Sequence, residues 1–82
     1  MRISAAEALG ISEKRTTLIA EKAIDLLLGG KETGEAIKEI LSDTELTEKE
    51  KALTLFTYGE FLGIYRGFIN RHLLPRRHLV RR

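Results

Sequence analysis

Apolar residues return at helical spacing in three stretches of the chain, and no stretch alternates as a half-buried strand does. The first stretch, TTLIAEKAIDLLLGG, has its apolar stripe at Ile19, Ala20, Ala23, Ile24 and Leu27. Leu26 and Leu28 make its last turns apolar nearly all round, so we expect those turns to be central to the core. Gly29 and Gly30 then end the helix.

The second stretch, TGEAIKEILSD, predicts a shorter amphipathic helix with Thr33 as its N-cap. Its buried stripe is expected at Ala36, Ile37, Ile40 and Leu41. Residues 42–44 follow as a loop.

Two capping boxes mark where other helices begin. Ser4 and Glu7 start a short helix that Gly10 stops, and Ser12 caps the helix that follows. Thr47 and Glu50 start the last helix, whose pattern continues without a breaker to Leu74. The helix is expected to end there, because Pro75 disfavours helix at the residue before it.

These elements predict an all-α fold, a small bundle of three main helices plus a short N-terminal helix. The long C-terminal helix is expected to be central. Residues 1–74 form the single helical domain, and residues 75–82 form a basic, Arg-rich C-terminal tail.

The last helix has two contrasting faces. Gly59, Gly63 and Gly67 lie within about 80° of one another at about 100° per residue, and we call them the glycine stripe. Four aromatic residues on the far side, which we call the aromatic ridge, are Tyr58, Phe61, Tyr65 and Phe68.

Small residues let two helix backbones approach closely. The glycine stripe therefore predicts packing against a helix of the same chain or of a second copy, as in a homodimer, or relief of crowding inside the monomer. The aromatic ridge predicts core packing, stacking on nucleic-acid bases, or insertion into a partner's pocket. Glu60 and Arg66 argue against a transmembrane segment.

Composition narrows the function classes. With no cysteine, the chain has neither disulfides nor thiolate metal ligands. Lys and Glu are abundant while Gln is absent and Asn occurs once, which is a thermophile-like composition. The N-terminus lacks the apolar region of a secretory signal, so we expect a cytoplasmic protein.

Charge is separated along the chain. Residues 1–60 hold 12 acids and 8 bases, whereas residues 61–82 hold 6 arginines and no acid. The candidate nucleic-acid contacts are Arg71, Arg76, Arg77, Arg81 and Arg82. This Arg-rich segment would bind phosphates of DNA or RNA, dock on the acidic residues of the same or a second copy, remain solvated, or lie on an anionic membrane surface.

Residues 4–28 resemble the core of a helix-turn-helix motif. The resemblance rests on small residues at Ala5 and Ala6, then Leu9, Gly10 at the turn and Ile11. It implies that the second helix reads the major groove. The exposed recognition residues would be Ser12, Glu13, Lys14, Arg15 and Thr17. The chain departs from the motif at Thr16, where an apolar residue is expected.

No catalytic residues, metal site or cofactor are expected. His72 and His78 are six apart, unlike a helical metal pair, and LLLGGKETGEA lacks the order of a phosphate-binding loop. A helix that begins at Thr33 offers backbone amides to an anion, as any helix does. We expect no small-molecule substrate.

The sequence thus predicts a small non-enzymatic binding or regulatory protein. It would be homo-oligomeric and would contact nucleic acid through its Arg-rich segment. The alternative is a protein–protein interaction or structural subunit that uses the glycine stripe and the aromatic ridge, with no nucleic-acid role.

Overall fold

Four helices make up the computed structural model, which describes residues 3–69 and 71. They are α1 (Ala5–Leu9), α2 (Glu13–Leu28), α3 (Thr33–Leu41) and α4 (Glu48–Phe68). The described part contains no strand. The predicted all-α class, with three main helices after a short first one and the longest helix last, is confirmed.

The predicted start signals are present at three of the four helices. Side chains of Ser4, Ser12 and Thr47 each accept a hydrogen bond from a backbone N–H in the first turn of their helix. Both predicted capping boxes form, at α1 and at α4. Gly10 ends α1 in the left-handed region at φ 76°, which only glycine adopts freely.

The start of α3 differs from the prediction. Thr33 is the first helical residue, and Glu32 occupies the N-cap position without a side-chain hydrogen bond to the helix. The assignment of Thr33 as N-cap is therefore wrong by one residue. A glutamate is a poor cap, so sequence pattern alone favoured the threonine beside it.

The last helix is central, as predicted, since α1, α2 and α3 all pack against α4. Two core clusters lie along it. One cluster holds the buried residues Ala23, Ala36, Ile40 and Tyr58. The other holds Ile19, Leu46 and Leu53, and residues of α1 close over it. Burying this apolar area is what holds the helices together.

The apolar end of α2 is less buried than predicted. Leu28 is 74% exposed and Ile24 is also exposed, while Leu26 and Leu27 are partly buried against the first cluster. Leu41 of α3 is exposed too. A helix that packs against α4 on one side buries only that side. Residues about 100° further round the same helix therefore face away from α4.

The last part of α4 changes its helix type within the described residues. The α-helix ends at Phe68, and Ile69 and Arg71 have the wider turn of a π-helix. Residue 70 and residues 72–82 lie outside the described part, and so do the predicted helix end at Leu74 and the predicted boundary of the tail. No described helix has both the length and the apolar character that crossing a bilayer requires.

Candidate interaction surfaces

Among residues 3–69 and 71, nothing covers the centre of the glycine stripe. A Cβ atom built on Gly59 or Gly63 would meet nothing within 4 Å, and one on Gly67 would meet only the Arg71 side chain, at 3.7 Å. Among the described residues, no other helix packs against the stripe. Within the described residues, the predictions of intramolecular packing and of relief from crowding are therefore not met, because nothing lies close to Gly59 or Gly63.

Two large apolar side chains stand beside the open glycines. Phe56 is 53% exposed and Ile64 is 69% exposed. With Gly59 at zero on the helical wheel, Phe56 lies at about 60°, between Gly63 and Gly67, and Ile64 lies at about 140°. The same face therefore carries both a groove and the side chains that would fill such a groove in a second copy.

The aromatic ridge divides into a core half and a surface half. Tyr58 is 3% exposed, and Phe61 is partly buried against the first core cluster. Tyr65 and Phe68 are each about half-exposed, at 47% and 50%. Core packing therefore holds for Tyr58 and Phe61, which belong to or pack against the first core cluster.

Arg15 of α2 forms a two-point ion pair with Glu50 of α4. Its Nε and Nη2 atoms each donate to one carboxylate oxygen of Glu50 at 2.9 Å, and Nη2 also donates to the Glu45 carbonyl oxygen at 3.1 Å. Glu50 is 8% exposed and also accepts from the Thr47 backbone N–H. The Arg15 hydrogen bonds, with help from Thr47, lower the pKa of Glu50 to about 2.

This ion pair bears on the helix-turn-helix resemblance, which predicts an exposed Arg15. The prediction that Arg15 is an exposed recognition residue is wrong, because its guanidinium is already occupied by Glu50. Ser12, Glu13, Lys14 and Thr17 are exposed as expected. Arg15 and Glu50 are 35 residues apart in sequence, so no local pattern predicts their contact. The sequence shows only that an arginine and a capping-box glutamate are present.

A second ion pair fixes the loop before α4 to α2. Lys22 Nζ donates to Asp43 Oδ2 at 2.9 Å and lies 3.6 Å from Glu45 Oε1. The hydrogen bond from Lys22 lowers the pKa of Asp43, and the same bond raises the pKa of Lys22. Spacing along the sequence gave no signal for this contact.

Of the predicted nucleic-acid contacts, the described part includes Arg71 alone, and its side chain is exposed. Arg76, Arg77, Arg81 and Arg82 lie outside it.

Residues 3–69 and 71 contain no group of three His, Asp or Glu side chains that could hold a metal ion. They do form a cavity of about 560 Å³ between the start of α3 and the second half of α4. Its walls include Lys31, Thr33, Tyr58, Tyr65 and Arg66.

No protein-family model, no curated protein and no solved structure matches this chain. Function is therefore inferred from the contacts and charges of the chain itself.

Proposed function

We propose that this chain is a non-enzymatic binding protein that pairs with a second copy of itself through the glycine stripe of α4. The supporting observation is the open stripe with Phe56 and Ile64 exposed on the same face. Removing such side chains from water stabilises association by about 25 cal/mol per Å² of apolar area, before the cost of immobilising the partners.

Self-complementarity favours a second copy as the occupant. A two-fold contact uses the same patch on both partners, so it needs a patch with both projecting and receding parts. Phe56 and Ile64 project, whereas Gly59 and Gly63 recede. Phe56 or Ile64 of one copy would fill the groove at Gly59 and Gly63 of the other.

Charge also favours a second copy. The first 60 residues carry a net charge of −4, from 12 acids and 8 bases, and the remainder carries +6 from arginine alone. The arginines of one copy thus complement the acidic body of another. Such complementarity speeds encounter and fixes orientation.

The test is the mass in solution of Gly63→Leu. Because nothing lies near a Cβ at position 63, leucine should fit the monomer and raise its helix stability by up to ~1 kcal/mol. We expect sedimentation velocity at tens of micromolar to show a dimer for the natural chain and a monomer for Gly63→Leu.

The matched control is Gly34→Leu, since Gly34 is the other helical glycine with open space around it and lies away from the stripe. This variant should remain dimeric. A natural chain that is monomeric at these concentrations, or equal dimerisation of all three proteins, would refute the proposal.

A second candidate function is nucleic-acid binding by the Arg-rich segment. The observation that favours it is the absence of any acid after Glu60 together with 6 arginines. Arginine pairs with phosphate through two parallel hydrogen bonds, which suits it to this task. The two functions are compatible, because Arg71 and the residues after it come after the glycine stripe in the sequence and are not part of it.

A further inference from the structure

The cavity between α3 and α4 has features that the pairing surface does not use. Its walls are the turn from Gly30 to Gly34 on one side and Tyr58, Leu62, Tyr65 and Arg66 of α4 on the other. On the same helical wheel Tyr58, Leu62 and Tyr65 lie at about 240–300°, away from the glycine stripe, and Arg66 borders the stripe at about 340°. The cavity is therefore a separate site, and nothing below depends on the proposed function.

The first turn of α3 reaches one end of the cavity through Thr33 and Gly34. Glu32 gives α3 no side-chain cap, so the N–H groups of Thr33, Gly34 and Glu35 have no acceptor among the described residues. Gly34 has no side chain to obstruct them, and a Cβ there would meet nothing within 4 Å. N–H groups in a first helical turn are suited to binding an anion.

The second, independent feature is the hydroxyl group of Tyr58. The residue is 3% exposed and its ring belongs to the first core cluster. Its hydroxyl makes no hydrogen bond to any described residue, although most buried tyrosine hydroxyls have a partner. Every fully enclosed polar side-chain atom in this part is paired, so the Tyr58 oxygen retains some exposure, and Tyr58 lines the cavity.

Two cations complete the wall. Arg66 Nη2 lies 3.4 Å from Thr33 Oγ1, which places the guanidinium at the start of α3. Lys31 lines the same cavity and its ammonium pairs with Glu39. Glu32 is exposed beside them, so its charge opposes an anion and lowers the affinity without blocking the donors.

We infer that this cavity binds the phosphate group of a phosphorylated small molecule. The amides of Gly34 and Glu35, the Tyr58 hydroxyl and the Arg66 guanidinium would donate to the phosphate oxygens. The half-exposed ring of Tyr65 would contact the rest of the ligand. The cavity volume suits a molecule of nucleotide size.

The test is an amide chemical-shift titration of the full chain. Inorganic phosphate, ribose 5-phosphate and AMP are added at constant ionic strength, with chloride as the reference anion. We expect saturable shifts at the Gly34 and Glu35 amides for all three phosphates and none for chloride. Tighter binding of AMP than of ribose 5-phosphate would extend the site to the base.

Tyr58→Phe is the decisive variant. It keeps the buried ring and removes a hydroxyl that has no partner in the described part, so the thermal midpoint should not fall. The phosphate affinity should fall by about tenfold, as for the loss of one hydrogen bond to a charged group. Arg66→Gln should weaken binding similarly, whereas Lys14→Gln, which removes an exposed charge far from the cavity, should not.

Three outcomes would overturn the inference. They are no saturable shift at Gly34 and Glu35, unchanged affinity in Tyr58→Phe, and shifts confined to residues after 70. The last outcome would mean that phosphate binds the Arg-rich segment instead.

Discussion

At the residue scale, Glu50 combines two functions that fix the position of α4. Its carboxylate completes the capping box with Thr47 and accepts both hydrogen bonds from Arg15. The first function fixes where α4 begins, and the second ties that beginning to the first turn of α2. The sequence showed the first because capping boxes are local, and it missed the second because the partner is distant.

The ion pair predicts a specific dependence of stability on pH. The pKa of Glu50 is about 2 in the folded chain, below its ordinary value of 4.5. The unfolded chain therefore binds more protons between these values, so the stabilisation is fully present above about pH 4.5 and is lost as pH falls towards 2. We expect Glu50→Gln to lower stability at pH 7 and to reduce the loss between pH 5 and pH 3.

Urea unfolding at several pH values measures this effect. Glu21→Gln is the control, since Glu21 is exposed and makes no hydrogen bond or ion pair with the described part of the chain. Equal pH dependence of the natural chain and Glu50→Gln would show that the ion pair does not contribute to acid stability.

At the element scale, helix starts determine which backbone groups are left free. Ser4, Ser12 and Thr47 each satisfy one N–H of their helix, while α3 begins after Glu32 with none satisfied by a side chain. Position 32 has the extended backbone of an N-cap, with φ −66° and ψ 152°. A serine there would be able to cap the helix without rearrangement.

Glu32→Ser should therefore raise the free energy of unfolding by about 0.5–1 kcal/mol, the usual contribution of a serine cap. Ser12→Ala, which removes an existing cap, should lower it by ~1 kcal/mol. Urea midpoints at unchanged m-values give both numbers. A Glu32→Ser chain that is less stable than the natural one would contradict the assignment of the α3 start.

Helix number, type and most caps were predictable because they depend on neighbours within four residues. Burial at the ends of the helices was not. Leu28 and Leu41 carry the same apolar signal as Ile19 and Ile40, yet only the latter two are buried, in clusters that include residues of α4. Which side of a helix is covered depends on how the short α3 crosses α4, and no local pattern encodes that crossing.

At the scale of the whole molecule, the candidate sites also divide into those that a local sequence pattern predicted and one that it did not. The glycine stripe and the Arg-rich segment were visible in the sequence because each is periodic or contiguous. The cavity at α3 was not, since Tyr58 and Gly34 are far apart along the chain and meet only when α3 lies on α4.

Truncation after Leu74 separates the two candidate functions. If five arginines contact duplex phosphates, the logarithm of affinity should fall with the logarithm of salt at a slope of about −4 to −5. The truncated chain retains Arg71 alone of these five, so its slope should approach about −1. Fluorescence anisotropy with labelled DNA at several salt concentrations measures both slopes, and equal slopes would exclude the segment as the contact.

Pairing through the stripe is the central claim, and an isotope-filtered NOE experiment on a mixture of labelled and unlabelled chains tests it most directly. We predict intermolecular contacts between the Phe56 ring protons of one copy and the α protons of Gly59 or Gly63 in the other. Absence of intermolecular contacts at tens of micromolar, or contacts confined to Leu28 and Leu41, would contradict the account.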